Sequence, residues 1–264
     1  MSALGQRVAV AVVGIPPLLW AATSQHSAPV TVLAAALALG CSYELLSAEG
    51  FPRASTLLVS LAPAVFLVLA APLPALAAIG LVGALLFHVL PLPPRLPLRA
   101  VLGAVLWVAV PLTSLRLLNP ATTEGNLFEV QPTPLLMVFT AIWAADTFAF
   151  FVGRAVGRHP LAPRISPKKT VEGAVAGFVG AALVTGSAFT WMGGAFWPGA
   201  LFGAVLAVAG IVGDLLESRW KRSLDIKDSG GLLPGHGGLL DRFDSLLLAA
   251  PVGALLLPLL HQLR

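Results

Sequence analysis

Nine stretches of this chain are apolar and about as long as a bilayer is thick, and that excludes most folds before any motif is read. A helix crossing the ~30 Å hydrocarbon core needs about 20 predominantly apolar residues. Inside lipid every backbone N–H and C=O must be paired, which for segments of this length means helices. The candidates are residues 8–23, 28–47, 55–71, 74–91, 99–118, 134–152, 171–191, 196–216 and 244–262. The first, third and fourth are short or contain proline. Joints fall at Pro29, Gly50-Phe51-Pro52, Pro72 to Pro74, Pro91 to Pro97 and Asn119-Pro120. Only 11% of the residues are charged, against about 25% in soluble domains, and the mean hydropathy is +0.89. The expectation is an all-α, polytopic transmembrane helical bundle of about nine spans. It is a single integral membrane domain over 1–264, with N-terminal helices in 1–133 and the chemistry in 134–264.

Charge placement orients the bundle. Arg7 before Val8–Trp20 looks superficially like a secretion signal, but the Ile15-Pro16-Pro17 break and the many later spans favour an uncleaved first helix. With nine spans and a cytoplasmic N-terminus, every Lys and Arg except Arg116 and Arg264 falls on one side, as the positive-inside rule requires. Adding or dropping an early span would flip the N-terminus, yet the sixth and eighth connections would stay together on the cytoplasmic side. The net charge of +4 sits between apolar segments, which fits topology and anionic phosphate ligands rather than nucleic acid. The one cysteine, Cys41, permits no intramolecular disulfide and reads as a small buried residue. Gly173, Ala174, Ala176, Gly177, Gly180 and Ala181, then Gly203, Ala204 and Ala207, predict close helix packing and leave room for a homodimer face.

Against this background one polar stretch stands out, Asp214 to Ser245, with apolar segments on both sides. It holds half of the chain's 12 acidic residues and five of its 16 basic ones. Charge at the edge of hydrocarbon is costly to keep and marks functional sites. Asp214, Glu217, Ser218, Lys221 and Arg222 are spaced to share one helix face. Asp241, Asp244 and Ser245 repeat the device at the start of the last span. Between them Gly230-Gly231-Leu232-Leu233-Pro234-Gly235-His236-Gly237-Gly238 forms a loop able to turn backbone N–H groups toward an anion. Carboxylates beside cations and such a loop suit a metal–polyphosphate complex. Mg²⁺ takes one or two carboxylates and completes its shell with phosphate oxygens and water, while Lys and Arg balance the remaining charge. A solvated helix end explains one such cluster, but not two facing ends joined by this loop.

A second patch precedes it. Asp146 lies within a spanning segment, Trp143 to Arg154, and needs a partner or a function there. The next connection is strongly basic. Positive-inside anchoring explains part of that charge, and Ser166-Pro167-Lys168-Lys169-Thr170 ahead of a helix start also makes a phosphate seat. Glu44 either pairs with a base in the bundle or caps the site, and His88 reads as structural. No Cys/His cluster suggests zinc.

Together these residues resemble a known family. Ser218-Arg219-Trp220-Lys221-Arg222, Lys227-Asp228-Ser229-Gly230 and Leu233-Pro234-Gly235-His236-Gly237-Gly238-Leu239-Leu240-Asp241-Arg242-Phe243-Asp244-Ser245 are similar to the long signature of the phosphatidate cytidylyltransferases, or CDP-diacylglycerol synthases. Trp143-Ala144-Ala145-Asp146-Thr147, Gly153-Arg154 and Ser166 to Thr170 match its other landmarks, so the resemblance covers at least residues 143–245. Two positions depart from it. Val171 stands where the family usually has Trp, and Phe148-Ala149-Phe150 where it often has Gly-Ala-Tyr.

The resemblance implies transfer of CMP from CTP to phosphatidate at the cytoplasmic edge of a bacterial inner membrane, giving CDP-diacylglycerol and pyrophosphate. It implies Mg²⁺ as cofactor and leaves a second, monovalent cation open. A phosphomonoester has a second pKa of about 6, so phosphatidate is largely dianionic and attacks without a strong general base. Asp214 and Asp241 are the expected metal ligands, with Asp228, Asp244 and Asp146 as lesser candidates. Lys221, Arg222, Lys227 and Arg242 are expected at phosphates. Ser166, Lys168, Lys169 and Thr170 are expected at nucleotide or lipid phosphate, with Ser218 and Asp146 beside the substrate. His236, Gly237 and Gly238 are expected to shape the phosphate loop. The partners are CTP, phosphatidate and the surrounding lipids, with no nucleic acid. A CTP-dependent polyprenol kinase would release CDP instead of pyrophosphate. A CDP-alcohol phosphotransferase would need an Asp-Gly-x-x-Ala-Arg pattern, which is absent. A transporter would place its charges near mid-membrane, not at one edge.

Overall fold

The structure, a computed structural model, describes residues 3–119, 131–235 and 237–262. Among these residues, each apolar stretch is a helix: α1 Ala3–Thr23, α2 Ser27–Ala48, α3 Arg53–Leu69, α4 Pro74–Val89, α5 Pro97–Leu118, α6 Pro134–Val156, α7 Val171–Trp191, α8 Phe196–Ser223 and α9 Leu240–Gln262. By length and hydropathy α2 and α5 to α9 suffice to cross a bilayer, while the apolar parts of α1, α3 and α4 are shorter. Local chemistry sets several starts. The His26 side chain accepts from Ala28 N at the head of α2. Thr133 caps α6 by accepting from Leu136 N, with Pro134 in the first turn, where its missing N–H costs nothing.

Two features depart from the expected plan. The fifth span is not a plain helix, for Gly103–Ala109 is a π-helical turn. Pro111 lacks the N–H that would bond the Trp107 carbonyl, so the regular ladder cannot run through it. Gly80 of α4 closes on this point, where a Cβ would lie 2.9 Å from Pro111 N. The sixth connection is an antiparallel hairpin, β1 Pro160–Ala162 and β2 Ser166–Thr170, with Pro160 opposite Thr170 and Ala162 opposite Ser166. It is a small strand element in an otherwise all-α bundle.

Polar contacts sort the connections to two ends. At one end Glu49, after α2, accepts from Arg95 N at 2.7 Å and Trp220 Nε1 at 2.8 Å, and pairs with Arg99 Nε at 3.3 Å. Arg99 also donates to Ser223 Oγ at 2.9 Å. The α2–α3 and α4–α5 links therefore meet the C-terminus of α8. At the opposite end Arg116 donates to the carbonyls of Leu67 and Ala70, Asn119 Nδ2 donates to Ala21 O at 2.9 Å, and Thr133 donates to Ala22 O. Arg116 thus lies opposite the main basic cluster, as its place in the sequence requires.

The small residues serve packing within the chain. A Cβ on Gly177 would stand 2.7 Å from Ala145 O, and one on Gly203 2.6 Å from Ala181 O. These contacts draw α6, α7 and α8 together. Cys41 is fully buried, as expected. Trp107 and Trp220, both buried, meet edge to face at 5.4 Å and tie α5 to the charged end of α8.

Candidate active site

The helix α8 runs past its expected end to Ser223 and carries the acidic and basic residues on one face. Lys221 Nζ lies 2.6 Å from both Glu217 Oε2 and Asp241 Oδ1. Glu217 is fully buried and also within electrostatic reach of Asp244. One turn earlier, Asp214 accepts from Ser218 Oγ at 3.2 Å and pairs with Lys169 of β2. Three carboxylate–lysine pairs thus gather at this face, Asp214 with Lys169, and Glu217 and Asp241 both with Lys221.

Asp241 opens α9, where the helix dipole favours an anion. Its Oδ2 accepts from Ser229 N and Gly238 N, both at 3.0 Å. These amides come from the two ends of the glycine-rich loop, which wraps the carboxylate. A second buried carboxylate, Glu44 of α2, holds the same loop from below. Its Oε2 accepts from Leu240 N at 2.9 Å and Ser229 Oγ at 3.2 Å, and its Oε1 from Leu232 N at 3.2 Å. Gly230 and Gly238 make room for it, since a Cβ at either would come within 3 Å of its oxygens. Glu44 therefore caps the site; it makes no ion pair among the described residues. Its signal in the sequence was a lone acid in an apolar span, which gives no hint of the loop 185 or more positions away.

A cleft of about 550 Å³ opens between α6, α7, α8 and the hairpin. Asp146, Gly153, Arg154, Ser166, Lys168, Lys169, Thr170, Asp214 and Ser245 line it. Asp146 lies within electrostatic reach of Asp214 and Lys169, so both sequence patches meet in one site. The hairpin is held by Glu172 in the first turn of α7, which accepts from Arg158 N at 3.1 Å and His159 N at 3.3 Å. Thr170 has a second task as the N-cap of α7, accepting from Gly173 N at 3.1 Å. Of the two departures from the family pattern, Phe148 packs on Gly180, Phe150 lines the cleft, and Val171 is exposed.

The remaining expected residues are placed as follows. Arg222 is exposed and donates to Ile226 O at 2.9 Å, closing the end of α8. Lys227 and Asp228 lie exposed after it. Gly237, at φ +84°, turns the chain where a Cβ would lie 3.5 Å from Asp241 Oδ2 and 3.8 Å from Asp228 Oδ1, so these carboxylates face one point. Asp244 is buried between α8 and α9, with Oδ1 accepting from Ser245 N at 2.6 Å. Arg242 is absent from the cleft lining and instead lines a separate, apolar groove. His236 lies outside the described residues. Glu217 and Glu49 were not expected in these roles; each sits near a charged helix end, where burial cannot be read from spacing.

Comparison with known proteins supplies the family. A 144-residue stretch, 50% of this chain and 48% of the other, is 46% identical to a phosphatidate cytidylyltransferase of Synechocystis sp.. The protein of that name from Bacillus subtilis is 45% identical over 129 residues, 48% of each chain. That from Haemophilus influenzae is 46% identical over 124 residues, 44% of this chain and 43% of the other. The chain thus spans about half the length of the curated relatives it matches. The model of the cytidylyltransferase family matches residues 5–260, nearly the whole sequence, and the chain belongs to that family.

Proposed function

We propose that this protein transfers CMP from CTP to phosphatidate at the cytoplasmic face of a bacterial inner membrane, releasing pyrophosphate. The observation that carries the reading is the pairing along α8, Asp214 with Lys169 of β2 at a cleft lined by Arg154 and Lys168, and Lys221 with Asp241 of α9 two turns further on. Each pair can exchange partners with a metal-bound triphosphate, the lysine turning to phosphate and the carboxylate to the cation. The names of the relatives support the same substrates.

The donor set suits Mg²⁺, a hard cation that takes one or two carboxylates beside phosphate oxygens. Asp214 and Asp241 would hold it, with Asp228 facing the point that Asp241 faces. When bound, the ion would neutralise triphosphate charge and stabilise the leaving pyrophosphate. In the reaction a phosphatidate oxygen bonds the α-phosphorus of CTP as the bond to the β-phosphate oxygen breaks. Lys169 and Lys221 then stabilise charge moving onto pyrophosphate, and the amides of Ser229 and Gly238 hold Asp241 in place. No general base is required, because the attacking phosphate is already an anion.

Purified protein given CTP, Mg²⁺ and phosphatidate tests the proposal. Pyrophosphate release that requires phosphatidate supports it. Release of CDP with a phosphorylated alcohol would replace it with the kinase reading.

A further inference from the structure

A second cavity, about 730 Å³, is lined by other residues of α9 than the polar cleft, Arg242, Phe243 and Leu246 rather than Ser245. It is bounded by α1, α2, α6 and α9 and roofed by Leu233, Pro234 and Leu239 of the glycine-rich loop. Its walls are apolar, and among the described residues its one charged lining residue is Arg242, in the first turn of α9. Along α1 it runs from Ala9 to Leu18. At ~1.5 Å per residue that is about 14 Å, close to half of a ~30 Å hydrocarbon core and so the depth of one leaflet.

Arg242 follows Asp241 directly. The two side chains project from neighbouring faces of one helical turn, within the ~10–12 Å breadth of a helix. A lipid with its tail in the groove would hold its phosphate beside Arg242, next to the carboxylate site and on the same roofing loop. Building on the function proposed above, we propose that this groove is the seat of an acyl chain of the phosphatidate substrate, with Arg242 at its phosphate. The nucleotide would then occupy the polar cleft. The two substrates would then occupy separate cavities and meet at the first turn of α9.

Gly14 offers a clean way to fill the groove. It lines the cavity, and no atom lies within 4 Å of where its Cβ would stand. A side chain there starts into open space on the groove side, and replacing glycine improves helix propensity. The experiment uses a phosphatidate analogue with a diazirine in one acyl chain, irradiated with the full-length protein in phosphatidylcholine vesicles. Labelling on α1 and α9 that excess phosphatidate suppresses and excess phosphatidylcholine does not is the expected result. Gly14→Trp should weaken that labelling and raise the KM for long-chain phosphatidate by about tenfold, the scale on which pockets sense a methylene or two, with the KM for CTP unchanged. Phosphatidate-specific labelling on α7 and α8 instead, or groove labelling that phosphatidylcholine suppresses equally, overturns the assignment. Specific groove labelling in protein that does not turn over CTP would leave the groove standing and remove the proposed reaction. Turnover without specific groove labelling would do the reverse.

Discussion

Replacing Glu44 by glutamine isolates the buried latch under the glycine-rich loop. The carboxylate accepts three hydrogen bonds, two at Oε2 and one at Oε1. Glutamine keeps the shape but has one acceptor oxygen. With that oxygen facing Leu240 N and Ser229 Oγ, its NH₂ confronts the N–H of Leu232, donor against donor. Hydrogen bonds to charged groups contribute about 1.5–3 kcal/mol each, so losing one and weakening two costs the loop about 2 kcal/mol or more. The same loop supplies the Ser229 and Gly238 amides that fix Asp241. If catalysis needs that geometry, kcat should fall about 30-fold, at 1.36 kcal/mol per factor of ten. Amide exchange should rise at residues 229–240 while protection in α6 and α7 stays as in the wild type. Glu44→Ala should do more, through three unpaired donors and a cavity. Wild-type kcat and unchanged loop exchange in Glu44→Gln would refute the latch.

Other outcomes follow from the same contacts. Asp214→Asn and Asp241→Asn should each lower CMP transfer by about a thousandfold or more, near 4 kcal/mol, in protein that still purifies folded from membranes. Glu49→Gln leaves the nearly buried Arg99 guanidinium without its carboxylate, and thermal unfolding should report a loss of about 3 kcal/mol. Gly203→Val should cost at least about 3 kcal/mol of stability, because even a Cβ would collide with the Thr185 hydroxyl. Chelation of divalent ions should abolish turnover, with Mg²⁺ restoring it and helical circular dichroism unchanged throughout.

The helices were legible because lipid allows so few backbone solutions for long apolar runs, and each apolar stretch became a helix. The α8 face was legible because helical periodicity puts Asp214, Glu217, Ser218 and Lys221 in line. The hairpin at Pro160–Thr170 and the π-turn in α5 were not. The first depends on pairing across a short, charged, proline-containing segment, and the second on how Pro111 meets Gly80. Within the site, spacing named the motif residues but could not show which contact each one makes. Asp241 and Arg242 are neighbours in sequence, yet Asp241 is held by Lys221 and the loop amides while Arg242 lines the apolar groove, and Asp244 lies in the α8–α9 contact. Glu44 and Glu49 could not be placed, because their partners come from distant parts of the chain.

CTP labelled at the α-phosphate, added with phosphatidate and Mg²⁺ to purified protein, tests the central claim most directly. The account predicts label in the lipid fraction, one pyrophosphate per labelled lipid, and loss of both in Asp241→Asn. Folded protein that binds CTP but leaves the lipid unlabelled would contradict it.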